Sequence, residues 1–176
     1  MTEFENLIVA SIARSTSEVF STMLDAHVDF DAAAIESRSP EANDGVVSFI
    51  GLAGSWAGAG SLVCSPAMAC RICAQMLLTE QTAVNDEVLD AVAELTNMIV
   101  GGVKTHLESH LGPLGLSLPT IVYGKNFRTK SVGSAEWIVA PFHWEDETLI
   151  VKMCLAPSEK PHFPSHGSSQ TCAMEV

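Results

Sequence analysis

Five residues that could act together on a ligand recur along one stretch of the chain at steps of four, three, four and three. They are Asp90, Glu94, Asn97, Gly101 and Lys104. At about 100° per helical residue they fall within roughly 80° of one another and form one polar stripe. A carboxamide one turn from a carboxylate can orient a water molecule while the carboxylate holds a cationic group. The stripe has no nucleophile and no metal cage, but phosphoryl transfer can proceed largely by positioning and electrostatics.

The stripe also has a simpler explanation, because most polar helix faces are merely solvated. Three details favour a binding surface. Asn97 is an indifferent helix former in the middle of a helix. The pair Gly101-Gly102 costs about 1 kcal/mol per residue relative to alanine, which usually means that another backbone or a ligand comes close. Met98 and Val100 flank the stripe, and apolar margins are typical of docking surfaces.

One long helix is predicted to carry the stripe. Asn85 is a good N-cap, carboxylates fill the first turn, and Gly112-Pro113 should end the helix. The predicted span is about 26 residues, or roughly 39 Å. Its core face is predicted on the side opposite the stripe, with Val88, Val92, Leu95, Ile99 and Val103 as its members.

The other elements form the body on which this helix rests. Helices are predicted over residues 4–24 and 66–78. Strands are predicted over residues 32–35, 45–53, 56–64, 116–123, 137–144 and 148–155, and Pro119 should lie near a strand start or edge. The order long helix, strand, hairpin occurs twice, which suggests internal duplication. The predicted fold class is α/β (α+β), with internally duplicated helix-strand-hairpin units and a mostly antiparallel sheet covered by two long helices.

A chain of 176 residues fits one domain. We expect this domain over residues 1–156, a polar loop over 37–44, and a disordered tail rich in Ser, Pro and His over 157–176.

The composition excludes some classes of partner. The net charge of −12 argues against nucleic acid and against an anionic membrane surface. No stretch approaches the ~18–20 apolar residues that span a bilayer, and the first residues are acidic where a secretory signal would be basic. Five cysteines agree with reduced thiols. These features predict a cytoplasmic protein.

Two other motifs could support chemistry. His106 and His110 have a spacing that can bind zinc on a helix, which leaves a zinc-dependent hydrolase as a weaker option. Both histidines are expected on the apolar side, however, with Glu108 pointing elsewhere. Cys70 and Cys73 have redox spacing, but they lie inside a short helix without a thioredoxin-like strand pattern. Their predicted role is that of small buried hydrophobes.

The sequence DAVAELTN over residues 90–97, with Pro119 lying 22 residues after Asn97, resembles the signature of the CheC/CheX/FliY chemotaxis phosphatases. That signature has an Asp or Ser, a Glu four residues on, an Asn three further on and a Pro about 22 residues later. The resemblance extends over most of residues 4–156.

This resemblance implies removal of the phosphoryl group from the aspartate of a CheY-type response regulator. By the same likeness Asn97 aligns the hydrolytic water and Glu94 pairs with a lysine of the regulator. Asp90, Met98, Gly101 and Lys104 would contact this partner. The chain would need no cofactor of its own, because the Mg²⁺ would belong to the regulator.

CheC-like members carry two such motifs, whereas CheX-like members carry one and form dimers. In the first helix the nearest equivalent is Glu18 followed by Ser21, which lacks the carboxamide. The resemblance therefore points to the CheX type and to a homodimer. A non-catalytic adaptor that binds a phosphorylated regulator through the same face is the alternative. Asn97 favours the enzyme, since docking alone has no evident need for a carboxamide.

Overall fold

The structure is a computed structural model that describes residues 1–36, 44–127 and 136–158. Within them it has three helices: α1 (Glu3–Met23), α2 (Pro66–Leu77) and α3 (Asp86–Leu111). Each helix begins at a polar side chain that accepts a hydrogen bond from the backbone N–H three residues on. These caps are Thr2, Ser65 and Asn85. All three helices match the predicted ones to within a residue or two at each end.

The described residues also contain eight strands, which form one antiparallel sheet. They are β1 (Asp29–Phe30), β2 (Ala34–Glu36), β3 (Asp44–Gly54), β4 (Trp56–Cys64), β5 (Leu114–Leu116), β6 (Thr120–Lys125), β7 (Trp137–Trp144) and β8 (Glu147–Pro157). The order is β1-β7-β8-β4-β3-β5, with β2 also paired to β7 and β6 also paired to β3. The predicted α+β class with a mostly antiparallel sheet is confirmed.

The strand order is symmetric about the central β4–β8 pair. The hairpin β3–β4 has β5 and β6 on its outer side, and the hairpin β7–β8 has β1 and β2 on its outer side. Each half of the chain thus supplies short strands to the hairpin of the other half. This arrangement supports the predicted internal duplication, with α2 inserted between the halves.

The strand predicted over 116–123 is in fact two strands separated by a bulge. Leu52 of β3 lies opposite Leu116, while Phe49 lies opposite Thr120. Residues 50–51 of β3 therefore face the three residues 117–119, which is the extra residue that defines a β-bulge. Pro119 lies in this bulge, where its missing N–H interrupts no ladder hydrogen bond.

The other differences are small. The strand predicted over 32–35 is displaced to β2, and β1 was not predicted, because two residues are too few for a periodic pattern. Strand β8 runs to Pro157, and Ser158 donates a hydrogen bond to the Gly54 carbonyl at 2.8 Å. The first two residues of the predicted tail thus belong to the sheet region. Residues 37–43 and 159–176 lie outside the described residues.

All three helices pack against one face of the sheet. A single apolar core joins them to the hairpins, and its largest fully buried side chains include Phe20, Phe142, Ile12, Leu62 and Leu95. The two long helices touch at Ser15, whose Oγ donates to the Ile99 carbonyl at 2.7 Å. A smaller apolar cluster lies on the other face of the sheet. None of the helices in the described ranges has an apolar window long enough to cross a membrane.

Candidate functional site

Helix α3 carries the candidate site, and its local sequence explains where it starts and ends. Asn85 Oδ1 accepts a hydrogen bond from Val88 N at 2.9 Å. Gly112 follows the last helical residue with a φ of 77°, which favours glycine. The predicted core face is confirmed, because Val88, Val92, Leu95, Ile99 and Val103 are all buried. The stripe therefore points away from the core.

Asp90, Glu94 and Asn97 form the accessible part of the stripe. The two carboxylates are exposed and Asn97 is half-buried. Within the described part of the chain, none of these three side chains has a hydrogen-bond or ion-pair partner. One helical turn separates Glu94 from Asn97, so the carboxylate and the carboxamide lie on the same side of α3. Both are available to an external group.

The two adjacent glycines have different surroundings. A β-carbon on Gly102 would overlap Ser15 Oγ and lie 3.1 Å from Ser15 Cβ, so glycine at this position allows α1 to approach α3. A β-carbon on Gly101 would meet Leu116 Cδ1 at 3.8 Å, which is an ordinary contact. The close approach inferred from the sequence is thus explained at Gly102 by another helix. Nothing in the described fold requires glycine at position 101.

Lys104 is engaged within the chain. Its Nζ lies 2.9 Å from Glu108 Oε1, and its side chain is 23% exposed. Glu108 Oε1 also accepts a hydrogen bond from Leu114 N at 3.0 Å. The bonds from Leu114 and Lys104 lower the pKa of Glu108. This network joins the C-terminal part of α3 to β5.

The apolar margins of the stripe are only partly as expected. Met98 is half-buried and packs against the core. Val100, expected beside the stripe, is instead fully in the core, because its side chain lies against Gly60 of β4. The buried arc of α3 is wider than the sequence indicated, since the sheet and α1 both cover it.

A sequence model of the family described as "Chemotaxis phosphatase CheX" matches residues 46–143. The chain belongs to this family. The match covers more than half of the 176 residues and includes all of α3. The stripe therefore lies entirely within the matched segment. Among proteins of curated function, none matches the chain significantly.

Solved CheX and CheC-like structures share this fold. A CheC-like superfamily protein from Shewanella sp. PV-4 is 24% identical, with a TM-score of 0.77 over 89% of this chain and 99% of that one. The chemotaxis protein CheX from Vibrio vulnificus is 25% identical, with a TM-score of 0.75 over 85% and 99%. A CheX-CheY-BeF3-Mg²⁺ complex from Borrelia burgdorferi is 22% identical, with a TM-score of 0.70 over 84% of this chain and 97% of that one. The predicted family is confirmed.

Helix α1 has the place in the first half that α3 has in the second. Glu18, its nearest equivalent of Glu94, forms an ion pair with Arg14 at 2.8 Å. The hydrogen bond from Arg14 lowers the pKa of Glu18. Ser21 donates its hydroxyl to the Glu18 carbonyl. The first-half carboxylate is therefore occupied, unlike Glu94, and no carboxamide lies one turn beyond it.

The alternative motifs do not assemble into sites. His106 is half-buried, but His110 is exposed, so the expectation of an apolar position was wrong for His110. The described residues contain no group of three side chains that could hold a metal ion. Cys70 and Cys73 are buried, and burial raises the pKa of both thiols. Their predicted role as small buried hydrophobes is confirmed.

Sequence reasoning missed two features beside the stripe. One is the link from Glu108 to Leu114, and the other is Leu118, which is 88% exposed in the bulge between β5 and β6. Neither leaves a periodic signal, because both depend on the register with which distant strands pair. Only the proline at position 119 hinted at an interrupted strand.

Proposed function

We propose that this CheX-family protein hydrolyses the aspartyl phosphate of a CheY-type receiver domain. Asn97 aligns the attacking water and Glu94 pairs with a lysine of the receiver. The water oxygen bonds to phosphorus, the bond between phosphorus and the aspartate oxygen breaks, and the products are inorganic phosphate and a free carboxylate. We assign the Mg²⁺ of this reaction to the receiver, and the solved complex of CheX, CheY, BeF3 and Mg²⁺ from Borrelia contains such an ion.

The observation that carries this proposal is the free carboxylate–carboxamide pair on α3. Glu94 and Asn97 lie one turn apart and have no partner among the described residues. By contrast, the corresponding Glu18 on α1 is held by Arg14 at 2.8 Å. A carboxylate and an amide left unpaired on a well-packed helix are suited to a partner that supplies the missing hydrogen bonds.

For this reaction the chain mainly has to position a water molecule. A phosphoryl group bound next to a metal ion needs a water molecule held in line with the bond that breaks. The amide of Asn97 can accept a hydrogen bond from this water through its oxygen and can donate one from its nitrogen. Helix α3 fixes the amide by burying its opposite face, so that little entropy is lost when the complex forms.

The other stripe residues are proposed as partner contacts. Asp90 offers a second free carboxylate one turn before Glu94. Gly101 leaves room for an approaching backbone, and Met98 offers a partly exposed apolar surface. Lys104 would contact the partner only at its exposed edge, because Glu108 already holds its ammonium group.

We also propose a cytoplasmic homodimer. The four described cysteines are free thiols, which suits a reducing compartment. The outer strands on each side of the sheet present edges at which a second copy could pair. Light scattering that returns the mass of one chain would rule out the dimer.

The test is the decay of phosphate from a panel of phosphorylated receiver domains, with and without the protein. Wild type should accelerate decay of its cognate receiver, and Asn97→Ala should reduce that acceleration by about 100-fold or more while leaving the fold intact. Asn6→Ala is the matched control, because Asn6 is an exposed asparagine on α1. Unchanged decay by wild type, with tighter binding to the phosphorylated form, would favour the adaptor instead.

A further inference from the structure

The segment from Leu114 to Tyr123 runs alongside α3 in the opposite direction. At its start, Leu114 N is bonded to Glu108 at 3.0 Å. Further along, Leu116 Cδ1 lies 3.8 Å from where a β-carbon on Gly101 would be. At its end, Tyr123 lines an open recess of about 600 Å³ together with Val84, just before α3 begins. Two contacts, and at the far end a shared recess, thus indicate the alignment of this segment with the helix.

This alignment places Leu118 at the level of Asn97 along α3. Two strand residues advance about 7 Å, which corresponds to between four and five helical residues at about 1.5 Å each. Counting back from Gly101 by this amount reaches helix positions 96–97. Interpolation between the contact of Leu116 with Gly101 and the recess shared by Tyr123 and Val84 gives the same level. The proposed water-aligning amide and the bulge therefore stand at the same height along α3.

Leu118 is a solvent-exposed apolar side chain on a backbone that its neighbours restrain. It is 88% exposed, a fraction that only Leu78 equals among the large apolar side chains of the described residues. The preceding Ser117 is fixed to Gly51 by two hydrogen bonds, one from Ser117 N to the Gly51 carbonyl at 2.9 Å and one from Gly51 N to Ser117 Oγ at 2.8 Å. Ser117 Oγ also donates to the Leu118 carbonyl at 2.9 Å, and Pro119 restricts the backbone on the other side. Little entropy would be lost on burying a residue presented in this way.

We infer that Leu118 is an apolar anchor of the docking surface, buried by the receiver domain that brings its aspartyl phosphate to Asn97. This inference rests on the function proposed above. The partner that fits is a folded receiver with an apolar patch next to its phosphorylated aspartate. The proposed docking surface combines the polar side chains of Glu94 and Asn97 on α3 with the apolar side chain of Leu118 in the bulge. β-Bulges next to active sites commonly redirect a side chain in this manner.

An anchor that touches the partner but not the reacting atoms strengthens binding of substrate and transition state equally. Leu118→Ser should therefore raise KM, and the Kd for the phosphorylated receiver, by about 10–100-fold with kcat unchanged. Leu118→Met keeps an apolar side chain and should restore most of the affinity. Leu78→Ser is the control, because Leu78 at the end of α2 is also 88% exposed.

The experiment measures Kd by titration calorimetry with the receiver that binds wild type most tightly, and KM and kcat by phosphate release. Wild-type affinity in Leu118→Ser, or an equal loss in Leu78→Ser, overturns the inference and leaves the proposed function standing. A wild-type rate in Asn97→Ala overturns the proposed function, while Kd still tests the anchor. A changed oligomeric state in Leu118→Ser would show that a second copy covers this residue, and would also overturn the inference. If no receiver binds, both ideas fail.

Discussion

The packing of α1 against α3 makes a sharp prediction about two adjacent glycines. Replacing Gly102 by alanine places a methyl group in overlap with Ser15 Oγ, and Ser15 is 1% exposed with its hydroxyl bonded to the Ile99 carbonyl at 2.7 Å. Replacing Gly101 by alanine places the same group 3.8 Å from Leu116 Cδ1, in ordinary contact. The two substitutions are chemically identical and one residue apart.

The expected free energies of unfolding follow from these contacts. Alanine in a helix interior is favoured over glycine by about 1 kcal/mol, so Gly101→Ala should stabilise by about 0.5–1 kcal/mol. At Gly102 the same gain is opposed by overpacking, about 1–3 kcal/mol, and by loss of the buried Ser15 hydrogen bond, about 1 kcal/mol. Gly102→Ala should therefore destabilise by about 1–3 kcal/mol net. The two variants should lie on opposite sides of wild type.

Urea unfolding followed by circular dichroism and by tryptophan fluorescence measures both changes. A third variant, Ser15→Ala with Gly102→Ala, removes the overlapping hydroxyl but leaves the Ser15 β-carbon 3.1 Å from the new methyl group. Gly102→Ala should therefore cost less stability in the Ser15→Ala background than in wild type. A double-mutant cycle measures this difference. Equal stability of Gly101→Ala and Gly102→Ala would refute the idea that glycine at 102 is needed for the helices to meet.

Two further predictions concern charged side chains. Lys152 is 6% exposed, its Nζ lies 3.6 Å from Glu36, and burial lowers its pKa. Lys152→Met should stabilise the protein at pH 7 by on the order of 1 kcal/mol, as measured by urea unfolding. This advantage should shrink as the pH rises through the lowered pKa of Lys152 towards 10.5. Over that range the amine of the native protein loses its proton before the amine of the unfolded chain, which stabilises wild type. Glu108 has a lowered pKa, so its contribution is fully present above pH 4.5 and is lost as the pH falls through its folded value. Glu108→Gln should be less stable than wild type at pH 7, and a constant difference down to pH 2 would contradict this assignment.

The parts of the fold that were predicted correctly depend on local signals. Both ends of α3 follow from a side-chain cap at Asn85 and a glycine–proline pair at 112–113. The two hairpins follow from alternating strands with short connections. The break between β5 and β6 could not be predicted, because it exists only relative to β3, more than 60 residues earlier in the chain.

The candidate site shows the same division. Helical arithmetic grouped Glu94 and Asn97 on one face and Val88 and Leu95 on the other, since only the 3.6-residue period was needed. It could not place Val100, whose burial against Gly60 depends on where β4 passes. The helical period also could not predict the ion pair between Lys104 and Glu108, because solvent and any partner compete with Glu108 for the lysine.

The exchange of strands between the two halves has a consequence for synthesis. Ala34 pairs with Val139, and Trp56 pairs with Pro157, so the first half finds its neighbours about 100 residues later in the chain. At roughly 5–20 residues per second on the ribosome, the first hairpin waits about 5–20 s for strand β8. During this time its backbone edges are open to other chains. The protein is therefore expected to complete its sheet only after β8 has been synthesised, and neither half should fold when expressed alone.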